Sequence, residues 1–143
     1  MKKYILLFFL FSSLIAKADT IATWNVFYNN KLLKQFNENP ALNEIKIKLL
    51  EYKLGDYLAI QYGDDTPSHD CKYELVVATD TKLVVFSLTT KDKYELMKID
   101  LKEIIADFKS WSSPQKFYLV YFTEINKQGK RDTGRRLFTI KLE

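Results

Sequence analysis

The chain has a single cysteine and a single histidine in 143 residues. One cysteine excludes an internal disulfide, so the fold has to hold by packing, unlike many small secreted proteins. One histidine restricts a serine–histidine–carboxylate triad to His69, and no Gly-x-Ser-x-Gly turn offers it a serine. Glycine is scarce, with four residues, and no glycine-rich phosphate loop is present. There is no internal repeat, low-complexity tract or linker. No run beyond residue 18 is apolar enough to cross a bilayer as a helix, which takes roughly 20 residues.

The N-terminus does carry a signal. Lys2 and Lys3 precede an apolar run from Tyr4 to Ile15 that only Ser12 and Ser13 interrupt, and Ala16-Lys17-Ala18 follows. A positive start, a short apolar stretch and small residues at a cleavage site make up a secretory signal peptide. The expectation is a leader over 1–18, cut after Ala18, and one domain over 19–143. The product is then exported, to the periplasm or the exterior. The apolar run is not followed by the cysteine that anchors bacterial lipoproteins, so a mature chain without lipid anchor or transmembrane segment is expected.

Cleavage changes the charge argument. The whole chain has 22 basic and 18 acidic residues, formally +4. Lys2, Lys3 and Lys17 leave with the leader and no acid does, so 19 bases face 18 acids. A near-neutral exported chain is a poor partner for nucleic acid, which selects strongly basic surfaces.

Residues 19–143 read as strands almost throughout. Trp24, Val26 and Tyr28 alternate with Thr23, Asn25 and Phe27, the two-residue period of a strand. Asn29-Asn30 tolerates the positive φ of a tight hairpin, and Lys31 to Phe36 is the returning strand. Ile45, Ile47 and Leu49 oppose Glu44, Lys46 and Lys48, a half-buried strand with one wet face. Further strands are expected over 57–62, 73–79, 83–89, 94–100, 117–123 and 137–142. Leu101, Ile104, Ile105 and Phe108 follow helical spacing, with Asp100 as N-cap and Glu103 three residues on. Short strands at this spacing predict an all-β fold: a single antiparallel β-sandwich, Greek-key or jelly-roll-like, of about seven to nine strands, with one short connecting helix near 101–108.

Two stretches concentrate polar chemistry. Asp64, Asp65, His69, Asp70 and Cys71 lie within eight residues. Imidazole and thiolate suit zinc or copper, and carboxylates suit calcium, so a metal is the one cofactor these residues allow, while the expectation is no cofactor. The spacing matches no metal loop, however, and Asp, Thr, Pro and Ser are ordinary turn residues. Asp64 and Asp65 are also the nearest thing to a glycosidase pair, although adjacency does not set acids across a cleft. Cys71 leaves two states open, a monomer with a buried thiol or a disulfide-linked dimer. The second stretch, Lys130, Arg131, Arg135 and Arg136 with Lys127, forms a basic patch around Gly129 and Gly134. It can hold anionic groups through bidentate arginine contacts, or simply keep a hairpin charged. Phe117, Tyr118, Tyr121, Phe122, Trp24 and Trp111 are either core or a platform for sugar rings. With no catalytic constellation, the expectation is a non-enzymatic binding or accessory module of the cell envelope, its partner an envelope protein or a glycan. A metal-binding envelope protein using residues 64–71 is the alternative.

Overall fold

A computed structural model describes residues 22–37, 43–63, 71–110 and 117–143. Nine strands form two sheets. They are β1 (Thr23–Tyr28), β2 (Lys31–Phe36), β3 (Glu44–Ile47), β4 (Tyr57–Gly63), β5 (Lys72–Thr79), β6 (Val84–Thr90), β7 (Met97–Asp100), β8 (Phe117–Ile125) and β9 (Arg135–Leu142), with helix α1 (Leu101–Ser110) between β7 and β8. The strand orders are β2-β1-β4-β7 and β3-β9-β8-β5-β6. The fold is the all-β sandwich that the alternation predicts.

The core is what the alternation dictates. Trp24 and Val26 on β1, Leu58 and Ile60 on β4, Leu75 and Val77 on β5, and Val120 and Phe138 on β8 and β9 are all buried. Each such side chain contributes roughly 1.5–3 kcal/mol by leaving water. Phe36 stacks on Phe138 across the layers, with centroids 5.6 Å apart. The helix runs straight on from β7. The Asp100 carboxylate accepts the Lys102 N–H at 2.8 Å, which satisfies one of the first-turn donors. Leu101, Ile104 and Ile105 are buried, and Asp107 accepts the Tyr118 hydroxyl at 2.9 Å, so the helix is pinned to β8.

Three details differ from a regular alternation. First, β3 lies parallel to β9, whereas the expected sandwich is wholly antiparallel. The chain reaches β3 from the other sheet, so no hairpin dictates its direction. Second, the strand expected over 94–100 begins only at Met97. Third, the ladders carry three irregularities, which leave Leu33, Val85 and Leu137 as extra residues on β2, β6 and β9. Such bulges twist a strand and disrupt further pairing. β2 and β6 are the long edge strands, and β3 and β7, the other two, have four residues each. All four edges are therefore short or bulged, which discourages pairing with another chain.

Tight turns use the residues that fit them. Asn29 takes φ of +53°. Its side-chain oxygen accepts the Tyr57 N–H at 3.1 Å and its amide donates to Asp56 Oδ1 at 3.0 Å. Asp56 Oδ2 also accepts the Tyr28 hydroxyl at 2.5 Å and the Lys53 N–H at 2.8 Å. These bonds to Tyr28, Lys53 and Asn29 hold the Asp56 carboxyl below its ordinary range. They knit the β1–β2 turn to the start of β4.

Candidate functional site

The two sheets part at one end of the sandwich. β4 and β8 finish there, and β5 and β9 begin there. Tyr62, Lys93, Phe122, Glu124, Asp132, Thr133, Gly134 and Arg135 line an open cavity of about 580 Å³ at this mouth. That is within the range of small-ligand sites, roughly 300–1,000 Å³.

A column of rings supports the cavity. Phe122 is stacked between Tyr62, at 5.0 Å, and Tyr73, at 5.6 Å. Tyr62 tilts against Trp24 at 5.4 Å. The Lys93 ammonium lies 5.0 Å above the Tyr62 ring, and the Arg135 guanidinium 5.8 Å from the Trp24 ring. A cation over an aromatic face is held by the ring quadrupole. Lys93 is only 8% exposed, so its charge is fixed in place. Trp24 is 1% exposed, and its indole N–H has no acceptor among the described residues. Glu124 and Asp132 bring negative charge to the same lining, and the Asp132 N–H donates to the Glu124 carbonyl at 2.9 Å.

The β9 bulge decides which arginine faces the mouth. Phe138, Ile140 and Leu142 are buried. A strict two-residue period would put Arg136 on that inner side. With Leu137 as the extra residue, Arg135 falls opposite Phe122 and Arg136 opposite Tyr121. Arg135 therefore turns inward, and Arg136 turns to the outer face, where its Nη2 donates to Thr139 Oγ1 at 2.5 Å. This is how a bulge re-aims side chains, and alternation alone does not reveal it.

The basic patch expected from sequence is dispersed. Arg135 alone lines the mouth. Arg131 pairs with the buried Glu74 at 3.2 Å on the outer face of β5, where Ser87 also donates to Glu74 at 3.0 Å. Lys130 is exposed on the β8–β9 turn, its N–H bonded to Asn126 Oδ1 at 2.9 Å. Of the expected metal ligands, Asp64, Asp65, His69 and Asp70 lie outside the described residues. Cys71, just before β5, is half-buried against the core. Among the described residues no group of three histidine, cysteine or carboxylate side chains is placed to hold a metal ion. The aromatic run divides as its register demands. Tyr118 and Phe122 point inward and are buried, while Phe117 and Tyr121 belong to the other face. Trp111 lies outside the described residues. The site residues that sequence reasoning missed are Tyr62, Lys93, Glu124, Asp132 and Thr133. Nothing in the local sequence of Lys93 marks it, because its role comes from the ring of Tyr62, thirty-one positions away.

A scan against protein-family models finds no match to this chain, and a search of curated proteins finds none.

Proposed function

We propose that the chain is an exported, non-enzymatic β-sandwich that binds a partner at the cell envelope, and that the mouth between its sheets is the binding seat. The observation that supports this reading is the pair of cations, buried Lys93 over the Tyr62 ring and exposed Arg135 over the Trp24 ring, beside Glu124 and Asp132. The prepositioned Lys93 charge favours recognition, because little ordering entropy is lost on binding.

The chemistry of the partner follows from what the rings already touch. Phe122 has a ring on each face, and Tyr62 carries Phe122 and the Lys93 ammonium. Neither ring offers a clear face to a sugar. A polypeptide segment with carboxylate, amide and cationic groups matches the lining better, so the partner is an envelope protein.

The test combines localisation with site-specific crosslinking. Fractionation finds the processed chain outside the cytoplasm. A photo-crosslinking residue at Thr133 gives one protein adduct that Arg135→Glu abolishes, and the same residue at Glu103 on α1 does not give it. An unprocessed cytosolic chain refutes export. Adducts that ignore Arg135→Glu refute the mouth as the seat, and a glycan adduct refutes the polypeptide assignment.

A further inference from the structure

The opposite end of the sandwich has a composition of its own. β1, β3 and β5 end there, and β2, β4, β6 and β8 begin there. Loop 48–56 ties both sheets together at this end: the Leu49 N–H donates to the Glu143 carbonyl at 2.7 Å, and the Leu101 N–H to the Asp56 carbonyl at 3.2 Å. Leu32, Leu33, Leu50, Leu54, Leu83 and Val84 are exposed there. Leu50 is 100% exposed and Leu54 81%. Leu32 and Leu33 lie at the start of β2, Leu50 and Leu54 on loop 48–56, and Leu83 and Val84 at the start of β6.

A lysine accompanies each turn: Lys31 before Leu32, Lys48 two residues before Leu50, Lys53 before Leu54, Lys82 before Leu83. The acids of the same turns are engaged. Glu51 pairs with Lys48 at 2.9 Å, Asp56 is held by Tyr28, Asn29 and the Lys53 N–H, and Asp80 accepts the Thr81 N–H at 2.8 Å. Lys31 and Lys82 make no ion pair among the described residues.

Lys82 supplies a second, independent observation. Two hairpins of this protein share one turn geometry. In β5–β6 the Thr79 N–H donates to Leu83 O and the Lys82 N–H to Thr79 O, at 2.8 and 2.9 Å. In β8–β9 the Asn126 N–H donates to Lys130 O and the Gly129 N–H to Asn126 O, at 3.0 and 2.9 Å. The third loop residue is left-handed in both, Lys82 with φ of +67° and Gly129 with φ of +77°. Glycine fits that position without steric cost and lysine does not. At the exposed tip the chain carries the less favourable residue, which adds a charge.

We propose that this end of the sandwich docks on an anionic lipid bilayer, its leucine tips entering the headgroup region while Lys31, Lys53 and Lys82 meet lipid phosphates. Apolar tips with adjoining lysines combine the two attractions that hold interfacial segments at a membrane, and lysine stems can lie along apolar surface while the ammonium reaches the phosphate. The tips are spread across the end of the five-stranded sheet. Three to four strand intervals of sheet order separate loop 48–50 from the 80–83 turn, roughly 15–19 Å. The mouth, at the other end of the sandwich, takes no part in this contact.

Every described strand and every described core residue lies at Ala22 or later, so the chain from Asp19 carries both sheets and is the form to test. It is sedimented with vesicles of equimolar phosphatidylethanolamine and phosphatidylglycerol, and with vesicles of phosphatidylcholine alone. Binding is expected on the anionic vesicles and weaker on the neutral ones. Leu50→Asn with Leu54→Asn weakens it by about tenfold or more, with circular dichroism unchanged. Lys82→Gly weakens binding to anionic vesicles by about fivefold while the melting temperature holds or rises. Absence of binding to anionic vesicles overturns the proposal, as does binding that ignores these substitutions. Self-association of the chain that the Leu50/Leu54 change abolishes, without vesicle binding, makes the surface a protein interface and equally overturns it.

Discussion

Gly134→Ala is the most informative single change to the mouth. A Cβ at this position falls 2.6 Å from Thr123 Oγ1, against an ordinary contact that begins at 3.4 Å, so the atoms interpenetrate by about 0.8 Å. Thr123 cannot give way freely. It is buried, sits opposite Glu74 in the β5–β8 ladder, and is stiff about χ1 because it branches at Cβ. Overpacking of this kind costs about 1–3 kcal/mol. The loss of unfolded-state freedom on replacing glycine returns about 0.4–1 kcal/mol, which leaves a net destabilisation of about 1–2 kcal/mol. At this chain length that is roughly 3–5 °C in melting temperature for each kcal/mol. The check is a double-mutant cycle in urea with Gly134→Ala, Thr123→Ala and both. Thr123→Ala removes the clashing atom while the unfolded-state gain cancels in the cycle, so the double variant is more stable than the sum of the singles by the clash itself, about 1–3 kcal/mol. A neutral Gly134→Ala, or strict additivity, refutes the contact.

Other outcomes follow from the same geometry. Asp56, held below its ordinary value by Tyr28, the Lys53 N–H and Asn29, contributes stability above the unfolded carboxylate value that is lost as pH falls through the lower folded one. Asp56→Asn flattens that acid limb in urea midpoints measured from neutral pH downward, and an unchanged limb counts against the network. Burial and the bond to Asp56 push the Tyr28 phenol up to about 12, and burial and Asp107 push Tyr118 upward as well. Their contribution is complete below the unfolded phenol value near 10 and declines as pH rises from there through the folded value. Tyr28→Phe makes stability less steep between about pH 10 and 12, and a profile unaltered by the substitution is the contrary result. In a Trp111→Phe background, Arg135→Leu changes the emission of Trp24, beneath its guanidinium, and Arg136→Leu leaves it unaltered. Equal responses contradict the register that the β9 bulge imposes.

The alternation of Glu44–Ile47, the apolar runs of β5 and β6, and the capped helical stripe after Asp100 are legible in sequence because each is a local pattern with a period. The irregularities are not. An extra Leu137 looks like one more apolar residue in an apolar strand, yet it decides whether Arg135 or Arg136 faces the rings. Proximity in sequence also grouped residues that the sheet separates. Lys130, Arg131, Arg135 and Arg136 are neighbours along the chain, but strand faces and a hairpin send them in different directions. The mouth was illegible for the converse reason. Tyr62, Lys93, Phe122 and Arg135 come from β4, the β6–β7 connection, β8 and β9, and only long-range pairing of β4 and β8 with their neighbours brings them together.

The parallel partnership of β3 with β9 carries a kinetic consequence. Glu44 is made roughly a hundred residues before Thr139, the residue beside which it lies, and such distant pairings slow folding. During synthesis the early segment has no mate, so the larger layer cannot close on a nascent, incomplete polypeptide.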